Sequence, residues 1–152
     1  MPFKFIWYVI YTSESMALKH ESIMIVDDEI DIATYMKLSL QKCGYNVDSF
    51  TDPFLALGHF QLNSEDYTIV LSDIRMPGIN GFEFVQKIRE VKPKIKVLLM
   101  TAFDINTTVF SEELLATKVN GFIQKPISLK ILNSEIKKHT NGIKPITRLT
   151  KN

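Results

Sequence analysis

The sequence predicts an α/β fold built on a parallel sheet, and three observations predict it. Five short apolar runs alternate with longer stretches of helical periodicity, the signature of repeated βα units. The runs are apolar at consecutive positions, as strands covered by helices on both faces must be. The residues that follow the runs are acidic, hydroxyl or basic, which gathers chemistry at one rim of the sheet.

The first run is Ser22–Val26, and the stretch Ile30–Lys42 carries Ile32, Met36 and Leu40 at helical spacing before Gly44, a favoured residue just past a helix. Asn46–Phe50 is the second run. Asp52 followed by Pro53 reads as an N-cap and first helical residue, opening a helix through position 62. The third run is 68–72, after which Phe82, Val85 and Ile88 form a stripe closed before Pro93. The fourth run is 96–100, and 111–118 supplies a fourth helix. The fifth run, Gly121–Gln124, precedes Ser128, which can cap a last helix. There Leu129, Leu132 and Ile136 face inward, and Lys137, Lys138 and His139 lie at the negative end of the dipole.

A chain of 152 residues with 45% hydrophobic content is long enough for one domain with a sizeable core. Its formal charge of +1 leaves no electrostatic footprint for nucleic acid or an anionic membrane. The single cysteine, Cys43, cannot form an internal disulfide and reads as a buried thiol in a reducing, cytoplasmic setting. The apolar run 5–11 is too short to cross a bilayer and lacks a small-x-small cleavage pattern. Residues 1–20 therefore read as an extension, with Met16 an alternative start, 21–139 as the domain, and 140–152 as a flexible basic tail. His20, His59 and His139 are scattered without ligand spacing.

The rim list is Asp27-Asp28-Glu29 after the first run, Asp73 after the third, Thr101 after the fourth and Lys125-Pro126 after the fifth. Clustered carboxylates repel one another unless a cation compensates. Magnesium suits such a set, because it takes oxygen ligands, needs only one or two protein carboxylates and keeps positions for water and phosphate. Asp28 and Asp73 fit that role, Lys125 can pair with a phosphoryl oxygen as a mobile point charge, and the Thr101 hydroxyl can donate to another. Each residue has a plainer reading: the acidic pair as an N-cap cluster, Asp73 as a turn residue ahead of Met76-Pro77-Gly78, Lys125 as an exposed strand end, Thr101 as a helix cap. Their conjunction favours a site for a phosphorylated carboxylate.

The segments IMIVDDE, LSDIRMPGINGFEF, LLMTAF and GFIQKPIS closely resemble the motif set of response-regulator receiver domains of two-component signalling, of the stand-alone, chemotaxis-regulator-like kind, over residues 22–138. The resemblance implies a flavodoxin-like three-layer fold, a doubly wound five-stranded parallel sheet of order 2-1-3-4-5. It implies a phosphoacceptor at Asp73 and Mg2+ held by Asp27, Asp28, Asp73 and the main-chain carbonyl of Arg75. It further implies phosphoryl contacts from Thr101 and Lys125, a switch pairing Thr101 with Phe122, and a cis peptide at Lys125–Pro126. The implied function is a switch that accepts a phosphoryl group from a sensor histidine kinase or phosphotransfer protein and catalyses only its own phosphorylation and dephosphorylation. Its output would run through protein contacts on the face of the fourth helix, fifth strand and last helix, with a phosphorylation-linked homodimer and with neither direct nucleic acid nor membrane binding.

Two departures accompany the resemblance. Lys118-Val119 stands where the family often has Gly-Ala, so the turn falls to Asn120-Gly121, and Phe122 replaces a tyrosine, leaving ring packing without a hydroxyl bond. A haloacid-type phosphatase would carry a second acid two residues after its nucleophile, where this chain has Arg75. A flavodoxin-like electron carrier would find its flavin phosphate repelled by Asp27-Asp28-Glu29. The alternative that survives is a receiver-like interaction module that works without phosphorylation.

Overall fold

The computed structural model describes residues 22–102, 112 and 116–140. Five parallel strands, β1 (Ser22–Val26), β2 (Asn46–Phe50), β3 (Tyr67–Asp73), β4 (Lys96–Thr101) and β5 (Gly121–Gln124), form one sheet in the order β2-β1-β3-β4-β5. Alternate residues of each strand feed opposite faces, which is why the central runs are apolar throughout. Met24, Val26, Val70, Val97 and Leu99 pack under α2 (Pro53–Asn63) and α3 (Gly81–Val91), beside Phe60, Phe84 and Ile88. Ile23, Ile25, Leu71, Leu98 and Met100 pack under α1 (Ile30–Lys42) and α4 (Leu129–His139), beside Met36, Leu40, Leu132 and Ile136. Each fully buried Ile or Leu contributes roughly 2 kcal/mol by leaving water. This is the doubly wound three-layer arrangement and strand order expected.

Helix starts follow the sequence closely. Asp52 Oδ1 accepts the Phe54 N–H at 2.8 Å with Pro53 in the first turn, and Ser128 Oγ accepts the Ile131 N–H at 3.3 Å. Asn80 caps α3 in the same way, accepting the Glu83 N–H at 2.9 Å. Gly44, past the end of α1, has φ of 92°, a conformation that costs glycine little.

Several expectations need correcting. Strands β3 and β4 run one residue further than their apolar cores, so Asp73 and Thr101 are the last residues of strands and share the rigidity of the ladder. At the sheet edge, Asp48, Ser49 and Phe50 of β2 are only half-buried, because one neighbour is missing. Cys43 is likewise only partly buried, since it caps the end of α1 rather than facing the core. The turn before β5 uses Lys118, at φ of 50°, and not Asn120-Gly121. Asn120 instead clasps β4, its N–H donating to the Val97 carbonyl and its Oδ1 accepting the Val97 N–H, both at 2.8 Å. Most of the fourth expected helix, the extension before position 22 and the tail after 140 lie outside the described residues. No helix among the described residues is long and apolar enough to cross a membrane.

Candidate functional site

Strand register brings the carboxyl ends of β1, β3, β4 and β5 to one rim. Val26 pairs with Ser72, Asp73 with Met100 and Thr101 with Gln124. A cavity of about 300 Å³ opens there, lined by Asp28, Asp73, Thr101 and Lys125 and bordered by Glu29 and Arg75.

Asp27 is fully buried at the floor. Its Oδ1 accepts the Glu29 N–H at 3.0 Å and its Oδ2 accepts Lys125 Nζ at 2.9 Å. Asp28, next in sequence, is exposed toward the cavity. Asp73 is 6% exposed, its Oδ1 accepting the Ile74 N–H at 2.9 Å and its Oδ2 lying 3.4 Å from Lys125 Nζ. Carboxylate oxygens of Asp27, Asp28 and Asp73 lie within 4.8 Å of one another. Lys125 is aimed by its own backbone, which donates to the Thr101 carbonyl at 2.7 Å and continues into a cis peptide with Pro126.

The electrostatics follow from this crowding. Burial, then the neighbouring Asp27 charge, pushes the Asp73 carboxyl up to about 6, with Lys125 and the Ile74 N–H only partly offsetting the rise. Burial alone would lower the Lys125 ammonium, but its hydrogen bond and charge pairing with Asp27, reinforced by Asp73, outweigh that and raise it. One ammonium thus sits among more carboxylates than it can neutralise. An all-oxygen, net-negative cluster of this size fits a hard divalent cation such as Mg2+.

Of the residues picked out from sequence, Asp28, Asp73, Arg75, Thr101 and Lys125 line this cavity and Asp27 lies directly beneath. Phe122 does not line it. It sits half-buried on β5 against the core under α2 and α3. Two contributors had been given no role. Glu29 reaches within 3.8 Å of Lys125 Nζ. Gly81 donates its N–H to the Ile74 carbonyl at 2.7 Å, and a Cβ there would run into the Asp73 carbonyl oxygen. Glu29 stood beside the acidic pair in sequence, whereas nothing local marked Gly81 as a close-approach position.

Residues 23–137 match the family described as the response regulator receiver domain. Among curated relatives, the response regulator receiver protein CpdR of Brucella abortus is 28% identical over 116 residues, covering 76% of this chain and 93% of that protein. The transcriptional regulatory protein ZraR of Escherichia coli is 32% identical over 125 residues, but the match covers 80% of this chain and only 27% of ZraR. Among solved structures, the chemotaxis protein CheY4 of Vibrio cholerae superposes with a TM-score of 0.72 at 26% identity, covering 79% of this chain and 98% of CheY4. TrrA of Thermotoga maritima, solved in complex with Mg2+–BeF, superposes with a TM-score of 0.66 at 31% identity, covering 79% and 99%. On sequence and overall fold alike, the chain belongs to the response regulator receiver domain family.

Proposed function

We propose that this chain is a phosphorylation-dependent signalling switch whose phosphoacceptor is Asp73. The observation that carries the reading is the meeting of three carboxylates within 4.8 Å of one another with one lysine in ion-pair range of two of them, at the mouth of a cavity. Asp27, Asp28, Asp73 and the main-chain carbonyl of Arg75 would hold Mg2+, which supplies charge neutralisation and alignment for phosphoryl oxygens when bound. Asp73 oxygen forms the new bond to phosphorus in line with the bond that breaks to the donor nitrogen of a phosphohistidine. Lys125 turns from Asp27 toward the incoming charge, and Thr101, at the end of β4, donates its hydroxyl to a phosphoryl oxygen. Drawing Thr101 inward favours a more buried rotamer of Phe122, so that phosphorylation is felt on the face of β5, α4 and the helix expected from the sequence at 111–118.

A sensor histidine kinase or phosphotransfer protein is the donor in this reading, in the cytoplasm, and the output runs through protein contacts, a phosphorylation-linked homodimer among them. Intact mass spectrometry after incubation with acetyl phosphate and Mg2+ tests it. The expected result is a gain of one phosphoryl group, abolished by EDTA and by Asp73→Asn. A gain that persists in the variant refutes the assignment, and no gain in the parent favours the phosphorylation-independent module.

A further inference from the structure

Glu29 stands at the N-cap of α1, yet its side chain makes no capping hydrogen bond. Short side chains serve that position because they reach the first free N–H groups, and glutamate is a poor substitute. Its carboxylate instead lies 3.8 Å from Lys125 Nζ, at the cavity mouth, with 63% of the side chain exposed. The main-chain N–H of Glu29, not its side chain, holds Asp27. Changing the side chain therefore leaves the floor of the site intact.

The charge balance gives this placement a meaning. Four carboxylates (Asp27, Asp28, Glu29 and Asp73) gather at the cavity with the Lys125 ammonium, which lies in ion-pair range of three of them, while Arg75 is exposed at its border, so the cluster invites a further cation. Asp27, Asp28 and Asp73 each have a place in the proposed ion binding and phosphoryl acceptance. Glu29 has none, and it stands exposed at the border of the cavity, where its charge acts on an incoming donor. Resting on the reading of Asp73 as phosphoacceptor, we infer that Glu29 is a specificity-determining residue that disfavours free dianionic phosphodonors. Donors whose phosphoryl charge is offset by cationic surroundings on a protein surface lose less by passing it.

Two small donors of different charge test this at saturating Mg2+. With acetyl phosphate, a dianion near neutral pH, an Asp73 oxygen bonds to phosphorus as the P–O bond breaks and acetate leaves with the electron pair. With phosphoramidate, a monoanion, the P–N bond breaks and ammonia leaves with the protons it already carries. Glu29→Gln is expected to raise the second-order rate with acetyl phosphate by about three- to tenfold at low salt and to raise it clearly less with phosphoramidate. The difference should shrink as salt is added, and Glu29→Asp should restore the parent's discrimination. Equal changes with both donors, or none while Asp73 is still phosphorylated, overturn the inference. If neither donor modifies the parent protein, the phosphoacceptor reading falls and this inference with it.

Discussion

At the scale of single residues, the site stores its function as electrostatic tension. Asp73 is held where both burial and Asp27 disfavour its charge, so its proton is lost near pH 6 instead of the ordinary 3.8. Above pH 6 the metal-free fold carries a carboxylate it disfavours, whereas the unfolded chain does not. As the pH falls from about 6 toward 3.8 the folded state takes up the proton first and the penalty fades. At 1.36 kcal/mol per pH unit, the gap between about 6 and 3.8 corresponds to at most about 3 kcal/mol. In EDTA, Asp73→Asn is therefore expected to raise unfolding free energy at pH 7.5 by about 1–3 kcal/mol, with the gain shrinking toward pH 5. Chemical denaturation at the two pH values checks it, and a variant less stable than its parent at pH 7.5 contradicts it. The residue types themselves were legible, because strand-end acids, a hydroxyl and a lysine are visible as such in sequence. Their mutual distances were not, since Asp27 and Lys125 lie 98 residues apart and meet only through the sheet.

At the scale of elements, legibility followed how local the determinant is. Asp52-Pro53, Ser128 and Gly44 act on their own neighbours, and the helices start or stop where those residues say. The turn before β5 is different. Lys118 takes a left-handed φ of 50° that a lysine disfavours, and it is held there from outside. Arg89, in the last turn of α3, donates from Nη2 to the Lys118 carbonyl at 2.9 Å and to Asn120 Oδ1 at 3.3 Å. Its Nη1 holds the Pro93 and Ile95 carbonyls. One guanidinium thus ties three segments together, which no local pattern reveals. Glycine at this position relieves the strain at a smaller entropic cost, so Lys118→Gly is expected to stabilise the fold by about 0.5–1 kcal/mol. A thermal midpoint lowered by the change would mean that the Lys118 side chain contributes contacts outweighing its backbone strain.

At the scale of the whole molecule, the alternation of runs and helices was sufficient for the fold class, and the motif resemblance supplied the strand order. What the assembled sheet adds is convergence. Four strands deliver Asp27, Asp73, Thr101 and Lys125 to one edge: Asp73 and Thr101 end their ladders, and Asp27 and Lys125 follow directly on β1 and β5, their N–H groups bonded to the Phe50 and Thr101 carbonyls, so the site is pre-organised by the same packing that makes the core. A rigid rim of this kind suits the proposed acceptance of a phosphoryl group at one oxygen and no other. The location of that group is therefore the most direct test. Borohydride reduces an aspartyl phosphate and leaves free carboxylates alone, so the protein can be phosphorylated with acetyl phosphate and Mg2+, reduced, digested and mapped by tandem mass spectrometry. Reduction at Asp73 alone is the predicted result; reduction at Asp27, at Asp28 or at no aspartate of the site would contradict it.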